Sequence, residues 1–374
     1  MFDVSRKDEE RTQATTDDLA LELRAMLESV RKFYGRFVVF RSEHEAVAMA
    51  LWVAHCWTFA ASNYTPYPYA SSPERESGKS RFLEVTGELV PKAWYVDAPS
   101  EAVVYRTIEK YQPTILLDEC DAIFSDKKDS EGMRALLNAG FERDRVVPRC
   151  VGPKHEVHNF NVYCPKALAG IGRLPDTLES RKIPINLKRK TRSEKVERFR
   201  KRDLKTETDE LRADLSGWAK AHTNELVDAT PDLPESLTDR QQDIWEPLLA
   251  IADLAGEEWS VKAREAAESL HDSDSAESLG ELLLEHIREA FGDRDKISTV
   301  DLLHKLTDND AGPWGSWWGK DLSFTNTNGP SARLARLLRD FEIKSKKIRD
   351  GNITSMGYEK AMFADAWNRY LPGR

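Results

Sequence analysis

Between residues 18 and 33 the apolar side chains Leu19, Leu21, Leu23, Met26, Leu27, Val30 and Phe33 mostly fit one helical face and predict an amphipathic helix. Residues 43–61, rich in Ala, Trp, Val and Leu, predict a second helix that is apolar on most sides and therefore buried. Tyr64-Thr-Pro-Tyr-Pro-Tyr69 reads as a poor strand because its prolines cannot donate to a ladder. The pattern then alternates. Helices are expected at 78–89, 100–111 and 130–141, and short apolar strands at 93–96, 114–117 and 183–187. Two more strands, 146–151 and 157–163, flank the turn signal Gly152-Pro-Lys154. Alternating strands and helices predict an α/β fold, a parallel sheet with helices on both faces.

The pattern changes after Leu187. Residues 188–205 carry ten Lys/Arg against three Asp/Glu. From 209 to about 291 the chain reads as helix, broken near Pro231-Asp-Leu-Pro234, Gly256 and residues 272–275. A last segment mixes helices with short strands. The expected organisation is a disordered start at 1–17, N-terminal helices at 18–62 packed on a core at 63–190, a basic linker and helical lid at 191–292, and a small C-terminal domain at 293–374.

Composition narrows this little. The chain has 374 residues, 40% of them hydrophobic, and a net charge of −9, which argues against a protein that coats nucleic acid with its whole surface. It leaves room for local basic stripes, because charge acts within a Debye length of about 10 Å. No apolar run reaches the roughly 18 residues of a membrane span, and the polar start lacks a signal-peptide core. A cytoplasmic protein without a membrane partner is expected. Cys56, Cys120, Cys150 and Cys164 have neither CxxC nor zinc-ligand spacing and read as reduced structural thiols.

The candidate chemistry sits at two places. Ser77-Gly-Lys-Ser80 precedes a helix, and its last three residues offer what a phosphate-binding loop needs. Gly78 lets backbone N–H groups approach a phosphate, Lys79 supplies an ammonium, and Ser80 supplies a hydroxyl for Mg²⁺. Pro73 stands where the usual pattern has its first glycine. About forty residues on, Pro113-Thr-Ile-Leu-Leu-Asp118-Glu119 is an apolar strand ending in two carboxylates. Asp118 can hold Mg²⁺ through water, and Glu119 can polarise an attacking water; phosphoryl transfer asks for little more than such positioning and charge stabilisation. Asp121 can orient the site or simply open a helix.

With these residues in hand, the chain resembles an AAA+ P-loop ATPase domain family of actinobacterial phages, plasmids and other mobile elements, often linked to primase–polymerase modules. The resemblance runs from about Leu27 to the end. It rests on Ser72-Pro-Glu-Arg-Glu-Ser-Gly-Lys-Ser-Arg81, Leu116-Leu-Asp-Glu-Cys-Asp-Ala-Ile-Phe124, Arg134-Ala-Leu-Leu-Asn-Ala-Gly140, Val147-Pro-Arg-Cys-Val-Gly152, Cys164-Pro-Lys-Ala-Leu-Ala-Gly-Ile-Gly172, Leu174-Pro-Asp-Thr-Leu178 and Trp245-Glu-Pro-Leu-Leu-Ala-Ile-Ala-Asp253. It implies an AAA+/ASCE sheet core and a helical lid; in the C-terminal domain, a helix, a basic helix at 332–351 and a short strand or turn before the helix 360–370 suggest a winged-helix-like module. The resemblance extends the nucleotide site to Arg81, and Ser-Pro-Glu before the loop is a feature of the family. It implies an arginine finger at Arg181, whose alternative is a helix-capping surface arginine. Lys166 stands in the region of the γ-phosphate sensor. Arg240 resembles a second-sensor arginine, its alternative being an exterior helix residue.

The resemblance further implies a ring, most simply a hexamer, that couples ATP hydrolysis to DNA, single-stranded or forked, as a helicase or translocase of phage or mobile-element replication, with a primase or polymerase as possible partner. Two other functions share the ATP site: an ATP-switched initiator or helicase loader, and a defence or regulatory scaffold. Candidate DNA contacts are Lys154 and His155 at the 152–155 turn, which can equally be an ordinary exposed turn. The 188–205 stretch is as well suited to a subunit contact as to DNA. In the C-terminal domain, Arg333, Arg336, Arg339, Lys346 and Lys347 form a basic face that suits phosphates or a protein partner.

Overall fold

The computed structural model describes residues 2–72, 78–97, 99–125, 131–187, 196–276, 279–309, 312–318, 328–339, 341–350 and 353–371. The chain divides into two compact units, residues 1–271 and 272–374.

The first unit opens with helix α1 (Phe2–Phe37). Residues 2–17, expected to be disordered, continue this helix. Its packed part, from Leu23 to Phe37, nucleates the turns, and the good helix formers Lys7, Glu9, Glu10, Arg11 and Ala14 propagate them. Helix α2 (Glu43–Thr58) is buried along nearly its whole length, as its all-round apolar sequence requires. Then come β1 (Tyr67–Ser71), α3 (Lys79–Leu89), β2 (Ala93–Asp97), α4 (Glu101–Tyr111), β3 (Thr114–Asp118), α5 (Cys120–Ser125), α6 (Glu131–Ala139), β4 (Val146–Val151), β5 (Glu156–Asn161), β6 (Lys166–Gly170), α7 (Asp176–Glu179) and β7 (Lys182–Asn186). Three long helices follow: α8 (Lys201–Val227), α9 (Asp239–Leu254) and α10 (Glu257–Ala276).

Five strands form one parallel sheet in the order β2-β3-β6-β1-β7. All five residues of β6 are buried. Since successive side chains point to opposite faces, the centre of the sheet is covered on both sides, as parallel sheets are.

One strand expectation is corrected. The proline-rich 64–69 segment does supply a strand, and a central one. Tyr67 donates its N–H to the Arg181 carbonyl on the β7 side (3.1 Å). Backbone groups alternate, so Pro68 faces β6, whose register with β1 begins only at Tyr69. The proline stands where the ladder needs no donor. The two strands expected on either side of the 152–154 turn form as β4 and β5. Glu156–Asn161 pairs with β4 in a separate antiparallel hairpin, and Lys166–Gly170 takes the place between β3 and β1. That strand has little intrinsic β propensity and is made by its two neighbours.

Buried histidines tie this unit to pH. His55 Nε2 meets Thr65 Oγ1 at 3.0 Å, and His271 Nε2 accepts from Trp245 Nε1 at 2.9 Å. Loss of hydration holds His55 down to about 3; loss of hydration, with Lys182 nearby, holds His271 down to about 4. Both folded values lie below the unfolded value, so the unfolded chain binds more protons in between. Their contribution is present above pH ~6.5 and lost on acidification, roughly 3–4 kcal/mol for the pair between pH 7 and 5. Urea midpoints should fall steadily across that window, and a midpoint that rises on acidification contradicts the assignment.

The second unit holds α11 (Leu279–Phe291), β8 (Lys296–Ser298), α12 (Thr299–Thr307), α13 (Trp314–Trp318), α14 (Asn328–Arg339), β9 (Lys346–Asp350), β10 (Ile353–Glu359) and α15 (Ala364–Tyr370). Its antiparallel sheet has the order β8-β10-β9. The unit begins about twenty residues earlier than expected. Helix α11, counted with the lid from sequence, buries Leu283, Leu284, Ile287 and Phe291 in the same core as Leu302, Trp314 and Phe363. Ser298 caps α12 by accepting the Asp301 N–H at 3.0 Å.

Candidate functional site

The C-terminal ends of parallel strands are where such sheets bind ligands, and β1 and β3 bring the two sequence motifs to that end. Gly78 stands immediately before α3 with φ +92°, a left-handed conformation open to glycine without strain. Its carbonyl accepts the Phe82 N–H at 2.8 Å, so the first helical turn starts there. Lys79 opens α3 half-buried; burial pulls its pKa down, while Asp121 and Asp118 pull it back up. Ser80 Oγ donates to Asp118 Oδ2 at 2.8 Å, across 38 residues of sequence.

Asp118 closes β3, and its other oxygen accepts the Glu119 N–H at 2.8 Å. Glu119 follows with φ +54°, in a region where a residue with a Cβ is strained. Its carbonyl starts α5 by accepting from Ala122 at 2.9 Å, and its side chain is exposed. Asp121 Oδ1 accepts the Ile171 N–H at 2.9 Å, which ties the end of β3 to the end of β6. An ammonium, a hydroxyl and two carboxylates thus gather at one edge of the sheet. Such a set can hold a phosphate chain with a divalent cation and orient a water beside it.

Gly78, Lys79, Ser80, Asp118 and Glu119 are brought together; Ser77 lies outside the described residues. Arg81 is turned elsewhere. It pairs with Glu84 at 3.2 Å and covers the Phe199 ring at 4.9 Å, so it faces the stretch leading into α8 rather than the loop.

Lys166 is also corrected. It begins β6 and is paired with Ile115, near the start of β3, so it sits at the sheet edge opposite Asp118. It is fully buried and donates to the carbonyls of Gly140 (3.1 Å), Val162 (3.1 Å) and Cys164 (2.7 Å). These carbonyls flank the β4–β5 hairpin on its departing and returning sides. Lys166 therefore clamps the base of the hairpin and has no route to a phosphate at the other edge. Burial lowers its pKa.

Arg181 precedes β7 and Arg240 opens α9, both at that opposite edge. Their guanidinium carbons lie 5.5 and 5.6 Å from the centroid of one ring, Phe141. Arg181 donates to the Thr177 carbonyl, and its pKa is lowered by burial first and by Arg240 second. Arg240 donates to Asp243 at 2.9 Å. Neither reaches Lys79 or Asp118 of its own chain.

The hairpin packs on α4 through Tyr105 and Phe160 (centroids 4.2 Å apart), with His158 against Glu109 at 2.9 Å and Arg149 against Glu101 at 3.3 Å. Gly152 (φ +69°) and His155 (φ +52°) close its turn, and Lys154 and His155 are exposed there. In the second unit, Arg333, Arg336 and Arg339 are exposed on α14, while Leu334 and Leu338 are fully buried. Lys347 is exposed, and Lys346 is engaged by Glu359 at 2.7 Å. Among the described residues no helix is long and apolar enough to cross a membrane.

Residues 186–370 match a family model described as "Protein of unknown function (DUF3631)". The match begins at the last residue of β7, so it takes in α8, α9, α10 and the second unit. The "Uncharacterized 28.9 kDa protein in xis 5'region" of Saccharopolyspora erythraea is 38% identical over 192 residues, 50% of this chain and 69% of that protein. At that identity and coverage, the chain belongs to the same family as the Saccharopolyspora protein.

Proposed function

We propose that the chain is an ATP-hydrolysing, DNA-dependent AAA+ motor that acts as a ring, with helicase or translocase activity in phage or mobile-element replication. The observation that carries this reading is the 2.8 Å contact between Ser80 and Asp118. A hydroxyl that opens a helix and a carboxylate that closes a strand meet at the one place where a phosphate-bound cation needs both. They are hard oxygen donors of the kind Mg²⁺ takes, so these residues fit the ion; bound with ATP, it would neutralise charge on the β and γ oxygens. Lys79 adds a cation on the phosphates. Glu119, held at the strand tip by its left-handed backbone, orients and polarises water.

The order β2-β3-β6-β1-β7 supports the same reading, because it sets the loop-bearing and carboxylate-bearing strands one strand apart with their ends aligned. Arg181 and Arg240 support a ring. Two guanidiniums crowded on one aromatic ring, far from their own loop, are placed to serve an anion brought by a neighbouring subunit. The second unit supports DNA binding: its helices and three-stranded antiparallel sheet fit a winged-helix module that presents the arginines of α14.

Mixing two inactive proteins tests the ring. Lys79→Ala subunits keep the finger and Arg181→Ala subunits keep the loop, so mixtures should regain ATP turnover that neither shows alone. No recovery at any ratio, with light scattering reporting monomers in ATP, contradicts the shared site. Strand displacement on forked DNA by the wild-type ring then separates a helicase from an initiator, loader or scaffold.

A further inference from the structure

Glu45 is 2% exposed, a carboxylate almost wholly removed from water in the first turn of α2. A buried carboxylate is tolerated only where its oxygens are satisfied. Its Oε2 accepts the N–H groups of Arg41 (2.6 Å) and Ser42 (3.4 Å), which is what a residue closing a capping box does. Capping does not account for the other oxygen. Oε1 accepts the N–H of Asn186 at 2.8 Å, 141 residues away at the end of β7.

Asn186 carries the contact onward. Its Oδ1 accepts from Ser71 Oγ at 2.9 Å, and Leu187 donates its N–H to the Ser71 carbonyl at 2.8 Å. Ser71 is the last residue of β1 and is in register with Asn186 on one side and Gly170 on the other. It is the point from which the chain leaves the sheet toward Gly78, Lys79 and Ser80.

We propose that Glu45 is a positioning residue for the phosphate-binding residues: through Asn186 and Ser71 it fixes the end of β1 and so preorganises the approach to Gly78-Lys79-Ser80. The inference rests on the nucleotide reading of those three residues. Loss of hydration raises the Glu45 pKa, against the pull of the N–H groups of Asn186, Arg41 and Ser42. Glu45→Gln keeps the shape but puts an amide NH₂ against a backbone N–H, two donors face to face. Either the Asn186 contact or the capping contacts must open.

The predicted effect is a split between KM and kcat. A loosened strand end must be re-formed when ATP binds, which weakens binding; once ATP is bound, its contacts with Lys79 and Ser80 hold the strand end in place. For Glu45→Gln, the KM for ATP should rise by about five- to tenfold while kcat stays within about twofold, the pattern expected when uniform binding is weakened. Asn186→Ala, which keeps its backbone N–H to Glu45 and removes only the side-chain link to Ser71, should give the same split in a protein that is easier to fold. A role confined to stability would lower the unfolding midpoint and the active fraction, hence kcat, and leave KM where it was. An unchanged KM in a folded Glu45→Gln or Asn186→Ala protein overturns the proposal. A wild-type protein that neither binds nor turns over ATP overturns the nucleotide reading itself, so the two failures are told apart.

Discussion

Lys79→Ala is expected to reduce ATP turnover to below about one-hundredth of the wild-type rate, the usual consequence of deleting one preorganised charge donor from a transition state. Lys79 is half-buried at the first turn of α3, and Asp118 and Asp121 hold its charge against burial. Alanine leaves Ser80 and Asp118 joined but puts no cation on the phosphates. The helix should be intact, since alanine is the best helix former, so the unfolding midpoint should move little. Unchanged turnover in this variant would remove Gly78–Ser80 from the chemistry.

Reversing three charges on α14 is expected to lower DNA affinity by well over tenfold, because a phosphate no longer neutralised by arginine keeps its condensed counterion and the entropy of releasing it is forgone. Arg333, Arg336 and Arg339 are exposed and recur at i, i+3 and i+6, so they share one side of the helix while Leu334 and Leu338 hold the other in the core. Changing all three to Glu on a chain already at −9 replaces attraction with repulsion. Basal ATP turnover without DNA should persist, because Lys79 and Asp118 belong to the other unit. Lys154→Ala should weaken DNA binding modestly and impair stimulation of ATP turnover by DNA, since it alters only the hairpin turn. Fluorescence anisotropy at several salt concentrations, paired with ATPase assays, reads both. Wild-type affinity in the triple variant would make the second unit a protein-docking module.

The two halves of the candidate site are legible in the sequence because each is local. Gly78-Lys79-Ser80 opens a helix, and Asp118-Glu119 closes an apolar strand; both patterns carry their own secondary structure. What depends on strand order is not legible. The family resemblance sets Lys166 just past the strand expected at 157–163, in the region of a γ-phosphate sensor. The structure makes that segment a hairpin and starts a new strand at Lys166, which moves its ammonium to the far edge. Arg81 follows the loop in sequence, yet one helical step turns it toward Phe199. Pro68 hides a central strand because propensity does not show which side of a strand faces a partner. Ser42-Glu-His-Glu45 is readable as a capping box. Nothing local signals that the second Glu45 oxygen reaches Asn186. The boundary between the two units is hard to place from sequence because α11 is as helical as its neighbours and differs in the core that receives it.

Glu119→Gln separates binding from hydrolysis, and its nucleotide affinity and phosphate release, measured on one preparation with Mg²⁺, test the assignment most directly. Glutamine keeps the size of the side chain and, with it, the packing of the strand tip, but cannot polarise water as a carboxylate does. The account predicts ATP affinity within about threefold of wild type and phosphate release slower by about a hundredfold or more, the scale of general-base catalysis. A Glu119→Gln protein that releases phosphate at the wild-type rate, or a wild-type protein that binds no ATP, would contradict it.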